Sequence, residues 1–497
     1  MRFFKIILHS FVALLFLNTA CTKSDSSKID EESTTQILDP FADNNGFFPS
    51  PEVYDGPFFK ANYNYPEDVP ERSYPWEEVL GGMPLTKNNA VEYIMAVRQY
   101  IAEDMTLMID QPEVWTDSPN RQNWYNMAWS AQSYHDSTGW DGLESVYGTM
   151  TGQVIKNDVF KDYGFDSPMQ NHALVYYNDI SALTLNQLWK SNSPTGFFPD
   201  YTTSAAQFKQ NAIVIKAAGT TATAAEWPVL EGAGTFPIYR EALFGPNVGK
   251  GPILQELTWI QFDIIIKDTI ASPETGWVFS TFIYDVNSPG TSTFDRLTLL
   301  GVSWGNDPGK MEGDETLEET YLNPNAPSYA AVTIGYGNRL SGPIDVSLVG
   351  GVQVEPKPVD SVLVLGPNNE ILGSNKYLHF TASACLSCHS TASWPEQNDF
   401  YPSPDPGQKL VFSDTLFNPS SIEWSNYFQN RPGTEIMVNS EGVNNSIMAL
   451  DYDLFMQFAL NNSLLGQQNL PKGIKIPAGY TLLNSEKHQP QLKLRSK

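Results

Sequence analysis

Short runs of β-branched and aromatic residues between about residues 205 and 366 constrain the fold more than any other feature of the chain. Turn sequences such as Asn306-Asp307-Pro308-Gly309 separate these runs, and no helical pattern alternates with them. This pattern predicts an α+β fold with a mainly antiparallel β core, in the form of a sandwich or a barrel-like sheet. The runs are residues 212–215, 257–264, 277–284, 297–300, 346–354 and 362–365.

Helical periodicity precedes the β-rich part of the chain. From Thr86, a suitable N-cap residue, to about Met108, apolar residues recur at the spacing of one helix face. We interpret the methionines on this face as core packing. A second helix is predicted over residues 448–460. The apolar residues of the first helix face are Val91, Ile94, Met95, Ile101, Met105 and Met108.

The first 20 residues have the pattern of an export signal, with a basic start, a short apolar run and small residues before a cleavage point. Cys21 then stands where a bacterial lipoprotein signal peptide carries its lipidated cysteine, and the segment resembles one. It departs from that family in one respect, because Leu17 lies four residues before the cysteine instead of three. A secreted protein with an incidental cysteine is the alternative.

Charge excludes one class of function and favours one class of partner. The chain has 56 acidic and 30 basic residues, a net charge of −26, and removal of Arg2 and Lys5 with the export signal changes this to −28. Such a charge repels a phosphate backbone, so we expect no nucleic-acid binding. It would instead attract cationic protein partners, in a salt-dependent manner.

The motif Cys385-Leu386-Ser387-Cys388-His389 is the most specific signal in the sequence. C-x-x-C-H is the pattern of c-type haem attachment. Two cysteines three residues apart can each form a thioether to one haem vinyl group, and the following histidine can then bind the iron. A single motif predicts one covalent haem c, held by Cys385 and Cys388, with His389 as the proximal iron ligand.

Three alternatives to haem remain open for this motif. A C-x-x-C pair can form a disulfide or act in thiol redox chemistry, although that motif normally opens a helix in a βαβ setting. Zinc could be bound with His379 as a fourth ligand, although the spacing of a zinc finger is absent. The pattern could also arise by chance.

The ligand on the other side of the iron would decide its chemistry, because a Met/His pair suits electron transfer and an open position permits reaction with small ligands. Met437, in a loop-like stretch several dozen residues after the motif, is the preferred candidate. An open position is also considered. The other candidates are Met448, Met456, His135, His172 and His379.

Three segments precede the motif in an order that resembles a group of bacterial single-haem cytochrome-c-like proteins, often lipoproteins, with a long β-rich region before the haem motif. These segments are 212–218, 277–282 and 305–308. The resemblance spans roughly residues 120–460 and implies covalent haem at Cys385 and Cys388, with His389 as ligand. It implies no established physiological role.

The sequence predicts an exported, lipid-anchored c-type cytochrome that transfers one electron at a time. We expect it in the bacterial cell envelope, on the periplasmic or outer face of a membrane, with the outer membrane preferred. A haem-dependent oxidoreductase with a substrate-binding β region, or a haem-stabilised binding or sensing lipoprotein, are the alternatives, so enzymatic activity is left open. The predicted divisions are residues 1–20 (signal), 21–75 (lipidated cysteine and flexible tether), 76–205 (helix-containing), 206–370 (antiparallel β), 371–470 (haem segment) and 471–497 (polar tail).

Overall fold

The structure is a computed structural model of the 497-residue chain. It describes residues 39–131, 142–155, 157, 159–242, 244–310, 316–341, 363–365, 371–374, 384–395, 422–437, 447–478 and 480. Cys21, His135 and His379 lie outside the described residues.

The described residues form helices and strands that alternate irregularly along the chain. The helices are α1 (Pro75–Leu80), α2 (Ala90–Tyr100), α3 (Ala102–Asp110), α4 (Pro112–Trp115), α5 (Asp179–Lys190), α6 (Cys385–His389), α7 (Ile422–Tyr427) and α8 (Leu454–Gln468). The strands are β1 (Met150–Ile155), β2 (Met169–Tyr177), β3 (Ile213–Thr220), β4 (Thr235–Glu241), β5 (Pro252–Lys267), β6 (Trp277–Tyr284), β7 (Leu297–Ser303), β8 (Thr320–Leu322), β9 (Leu363–Leu365), β10 (Ile371–Ser374), β11 (Ser393–Trp394) and β12 (Met448–Ala449).

One eight-stranded antiparallel sheet forms the centre of the fold. Seven of its strands follow the order β1-β2-β3-β5-β6-β7-β8, and the eighth, β4, pairs with β5. Strand β5 is long enough to pair with β4 along its first half and with β3 along its second half. The antiparallel β core predicted from the sequence is confirmed. The sheet is open, however, and does not close into a barrel. Two further two-stranded ladders, β9–β10 and β11–β12, lie outside it.

The sheet is covered on both faces, which explains why it differs from the predicted sandwich or barrel. Alternate residues of a strand point to opposite faces. Ile213 and Ile215 of β3 pack in one core with α1–α4, whereas Val214 between them packs in a second core with α5, α6 and α8. Every residue of β6 is buried. Helices therefore provide the covering layers that a second sheet would provide in a sandwich.

Helix α5 is fixed to the sheet by the residue that caps it. The Asn178 side-chain oxygen accepts hydrogen bonds from the backbone N–H of Ser181 and of Ile213, both at 2.9 Å. Its amide group donates to the carbonyl of Asn211 at 3.2 Å. The same side chain therefore starts α5 and ties it to the beginning of β3.

The predicted helix over residues 86–108 is present as two helices that meet at Ile101. It begins later than expected, because the Thr86 backbone N–H and hydroxyl both bond to the Asn89 side chain and Asn89 becomes the cap residue. Met105 and Met108 are fully buried, which confirms core packing for them. Met95 is 38% exposed and lies on the solvent side.

Two segments near the ends of the described chain differ from expectation. Residues 39–74 fall within the predicted tether, yet Phe59 and Tyr74 are buried in the core, because aromatic residues spaced along an extended chain can each fill a site on a large surface. The helix predicted over 448–460 begins only at Leu454. Asp453 caps it by accepting from the Met456 backbone N–H at 2.9 Å, and Met448 before it belongs to β12.

The predicted strands agree with the structure where they can be compared. β3, β5, β6 and β7 cover the runs at 212–215, 257–264, 277–284 and 297–300 apart from Ala212, and β9 covers most of 362–365. The run at 346–354 lies outside the described residues. Within the described ranges, no helix is long and apolar enough to cross a membrane.

Replacement of Asn178 with Ala should lower the free energy of unfolding by about 2 kcal/mol, because the helix cap and the bond to Ile213 are both lost. Chemical denaturation followed by circular dichroism measures this. Asn325→Ala, at an exposed loop position, is the matched control and should change stability by less than about 0.5 kcal/mol. Equal stability of the two variants would contradict the role given to Asn178.

Candidate functional site

The C-x-x-C-H motif folds as the short helix α6, which gives its side chains a defined arrangement. Residues three and four apart lie on the same face of a helix, so Cys385, Cys388 and His389 share one face. All three are half-buried, whereas Leu386 and Ser387 between them are completely buried. The two buried residues anchor the helix, while Cys385 packs against the edge of the core that contains Leu386.

Helix α6 is held at both ends by segments that are distant in sequence. The Ser387 hydroxyl donates to the Asn306 side-chain oxygen at 2.8 Å, and the Cys385 backbone N–H donates to the Leu340 carbonyl at 2.8 Å. Just after the helix, the Ser390 hydroxyl accepts from the Arg431 guanidinium at 2.8 Å.

The loop around Asn306 connects α6 to the segment before Arg431. The Asn306 backbone N–H donates to the Asn430 side chain at 2.7 Å, and its side-chain amide donates to the Gln429 carbonyl at 3.3 Å. Arg339, which is 1% exposed, donates to the Asn306 carbonyl at 2.7 Å. The sequence segment 305–308 therefore lies against the motif helix.

His389 has a defined hydrogen-bonding direction. Its Nδ1 lies 2.8 Å from the carbonyl oxygen of Tyr452, and its ring meets Phe279 of β6 edge-on, with centroids 4.9 Å apart. A carbonyl oxygen can only accept, so Nδ1 must be the donor. In the neutral ring the lone pair then belongs to Nε2, which is the atom that can bind a metal.

Burial keeps this imidazole neutral. It lowers the pKa of His389 to about 4, with a smaller contribution in the same direction from the Lys216 cation and an opposing one from the Tyr452 carbonyl. At neutral pH the ring is therefore unprotonated at Nε2.

The acceptor for His389 lies in a turn with unusual backbone geometry. Asp451 has φ 46° and Tyr452 has φ 70°, so two consecutive non-glycine residues are left-handed. Aspartate enters this region more readily than most residues, but a tyrosine there is uncommon. Such positions cost of order 1–3 kcal/mol each and persist only where the surroundings determine them. The orientation of the Tyr452 carbonyl is thus imposed by its neighbours.

The two thiols are free and are poorly suited to thiol redox chemistry. Burial raises the pKa of Cys388 to about 11 and raises that of Cys385 as well, where the Asp263 carboxylate adds to the effect. Reactive cysteines of redox enzymes have lowered pKa values, because the thiolate is the nucleophile. The geometry therefore argues against a redox-active dithiol.

Within the described part of the chain, no group of three or more His, Cys, Asp or Glu side chains is arranged to hold a metal ion. The remaining ligand in the zinc alternative, His379, lies outside the described residues.

The candidate distal methionines are all buried. Met437 is 5% exposed, Met448 pairs with Trp394 across the β11–β12 ladder, and Met456 on α8 packs in the same core as Leu386. Their burial fits both core packing and iron ligation. It therefore favours none of the three over the others.

His172 lies elsewhere on the sheet. It is buried in β2, where burial and the Arg240 cation lower its pKa well below the usual value. It lines a cleft of about 250 Å³ together with Gln170, Glu226 and Glu241, and no residue of the motif lines this cleft. The structure does not bring His172 together with His389.

The comparisons with known proteins add no assignment: no family model, no curated protein and no solved structure matches this chain. The site must therefore be interpreted from its own geometry. Sequence patterns identified the three side chains on α6. They did not identify Tyr452 or Asp451, because a backbone carbonyl can come from any residue and leaves no signature in the sequence.

The burial of the thiols gives a kinetic prediction for the haem-free chain. Burial raises the pKa of Cys388 to about 11, which lowers its thiolate fraction at pH 7 about 100-fold from that of an ordinary thiol; because a thiolate of higher pKa is more nucleophilic, alkylation by iodoacetamide should slow by about tenfold or more. Mass spectrometry of timed samples measures this rate. The same chain unfolded in guanidinium is the control and should react at the ordinary rate. Rapid alkylation of the folded chain at pH 7 would support a redox-active dithiol instead.

Proposed function

We propose that this protein is a c-type cytochrome that carries one electron at a time, with one haem c held by thioethers from Cys385 and Cys388 and with His389 as the proximal ligand. The observation that carries the proposal is the arrangement on α6. The two thiols share a helix face with an imidazole whose Nδ1 is already occupied as a donor to the Tyr452 carbonyl. When bound, the haem supplies a reversible one-electron iron couple.

The chain's own residues support this use of the motif in three ways. The Tyr452 carbonyl orients the ring and makes Nε2 the available ligand atom. Buried Leu386 and Ser387 fix the helix, so the spacing between the two sulfurs and the imidazole is set by a rigid element. Phe279 packs beside the imidazole and limits the space there.

The position of Met437 motivates its assignment as the distal ligand. It is buried, and it follows the segment around Arg431, which bonds to Ser390 directly after α6. A methionine opposite His389 would raise the reduction potential and suit an electron carrier. An open distal position would instead favour the second candidate, a haem-dependent oxidoreductase.

We further propose that the protein is anchored in the bacterial cell envelope by lipid on Cys21, with the outer membrane as the preferred location. The export signal and the cysteine after it support this part of the proposal. Several acyl chains on one cysteine exceed what stable membrane anchoring requires. The net charge of −26 supports a cationic redox partner and argues against nucleic acid as a ligand.

Two variants separate haem attachment from anchoring. In cells that mature c-type haem, Cys385→Ala combined with Cys388→Ala should abolish haem that survives denaturing electrophoresis, because no thioether can form. Cys21→Ala should keep the haem and release the protein from the membrane fraction. Haem staining and immunoblotting of fractionated cells measure both effects. Denaturation-resistant haem in the double cysteine variant would refute the attachment sites.

Carbon monoxide distinguishes an electron carrier from an enzyme. The reduced wild-type protein should keep its absorption spectrum under carbon monoxide, because both axial positions are filled. Met437→Ala should bind carbon monoxide, whereas Met105→Ala, which removes an equally buried methionine from α3, should not. A carbon monoxide shift in the wild type would favour the enzyme or sensor. No shift in Met437→Ala would exclude Met437 and direct the same test to Met448 and Met456.

A further inference from the structure

The turn that supplies the acceptor for His389 is held by a buried aspartate with several partners. One Asp451 carboxylate oxygen accepts from the Lys267 ammonium at 2.6 Å and from the Trp277 indole N–H at 2.7 Å. The other oxygen accepts from the Phe208 backbone N–H at 2.8 Å. The Asp451 side chain is completely buried and that of Lys267 is 10% exposed.

These partners belong to the rigid centre of the fold. Lys267 ends β5 and Trp277 begins β6, and the two residues are directly paired in the sheet. The Lys267 ammonium also lies 5.1 Å from the centroid of the Trp277 ring. The carboxylate is therefore fixed from the sheet side by two donors whose own positions are set by strand pairing.

On its other side the turn is closed by the segment around Arg431. The Tyr452 hydroxyl donates to the Arg431 carbonyl at 2.8 Å. A Cβ at Gly433 would overlap an Asp451 carboxylate oxygen, so this position accepts no side chain without moving the aspartate. The left-handed backbone at Asp451 and Tyr452 is thus clamped between the sheet and this segment.

We propose that Asp451 is a positioning residue for His389: anchored by Lys267 and Trp277, it holds the left-handed turn that aims the Tyr452 carbonyl at Nδ1. The anchored turn selects the tautomer with the proton on Nδ1 and presents Nε2 as the ligand atom. A buried ion pair is poor evidence for stability as such, and its use to fix one conformation is the better-attested role. Metal-binding histidines depend on such outer partners for orientation and basicity.

The inference rests on the proposed function, because a fixed tautomer of His389 matters for binding iron. The experiment that tests the inference does not depend on that function. The tautomer of His389 can be observed in the haem-free chain, so it is decided whether or not haem attaches. Long-range ¹⁵N–¹H correlation spectra of the full chain carrying Cys21→Ala, labelled at its six histidines, report which ring nitrogen holds the proton. His389→Ala assigns the signal.

In the chain with the unmodified turn, His389 should show a single tautomer, with the proton on Nδ1. Asp451→Ala should give a mixture of the two tautomers, and Asp451→Asn should largely restore the single species, because the amide oxygen still accepts and asparagine tolerates left-handed backbone. Asp453→Asn is the matched control on the other side of Tyr452. It retains the cap of α8 and should leave the tautomer unchanged.

A folded Asp451→Ala chain that keeps the single Nδ1-protonated species would overturn the proposal. If that variant does not fold, Trp277→Phe decides, since it removes one donor to Asp451 and keeps an aromatic ring in the core. A partial shift toward the second tautomer supports the proposal, and an unchanged spectrum overturns it. In the haem-loaded chain the reduction potential should rise in Asp451→Ala and stay constant in Asp453→Asn, because a weaker Nδ1 bond makes the ligand less basic.

Discussion

The packing of the C-terminal segments against one face of the β5–β6 pair is the interaction on which the candidate site depends. The motif helix is only five residues long and could not hold its geometry alone. Phe279 meets the imidazole from β6, and Asp451 bonds to Lys267 and Trp277 at the end of the same strand pair. The central sheet therefore sets both the position of the imidazole and that of its hydrogen-bond acceptor.

Burial is the largest influence on the protonation of the three motif side chains. A low-dielectric environment disfavours charge, so the same cause raises the pKa of both thiols and lowers the pKa of His389. The result is a set of neutral groups at physiological pH. Neutral thiols are poor nucleophiles, while a neutral imidazole is the form that can offer its Nε2 lone pair to a metal.

The sequence predicted those parts of the fold that local patterns determine. β6 coincides with its apolar run, and the motif fixes the order of the two cysteines and the histidine on α6. It did not predict an open sheet, because the covering layers are formed by helices from both ends of the chain. The sequence also did not predict the turn at Asp451 and Tyr452. This turn contacts His389 across 63 residues of chain and through a backbone carbonyl, which no sequence pattern indicates.

The most direct test of the account is peptide mass mapping of the protein purified from cells that mature c-type haem. We predict that the denatured chain carries the mass of one haem and that proteolysis places it on the peptide containing Cys385 and Cys388. An unmodified peptide would contradict the central claim, provided that another c-type cytochrome in the same cells carries its haem. A disulfide between the two cysteines would then become the preferred interpretation of the motif.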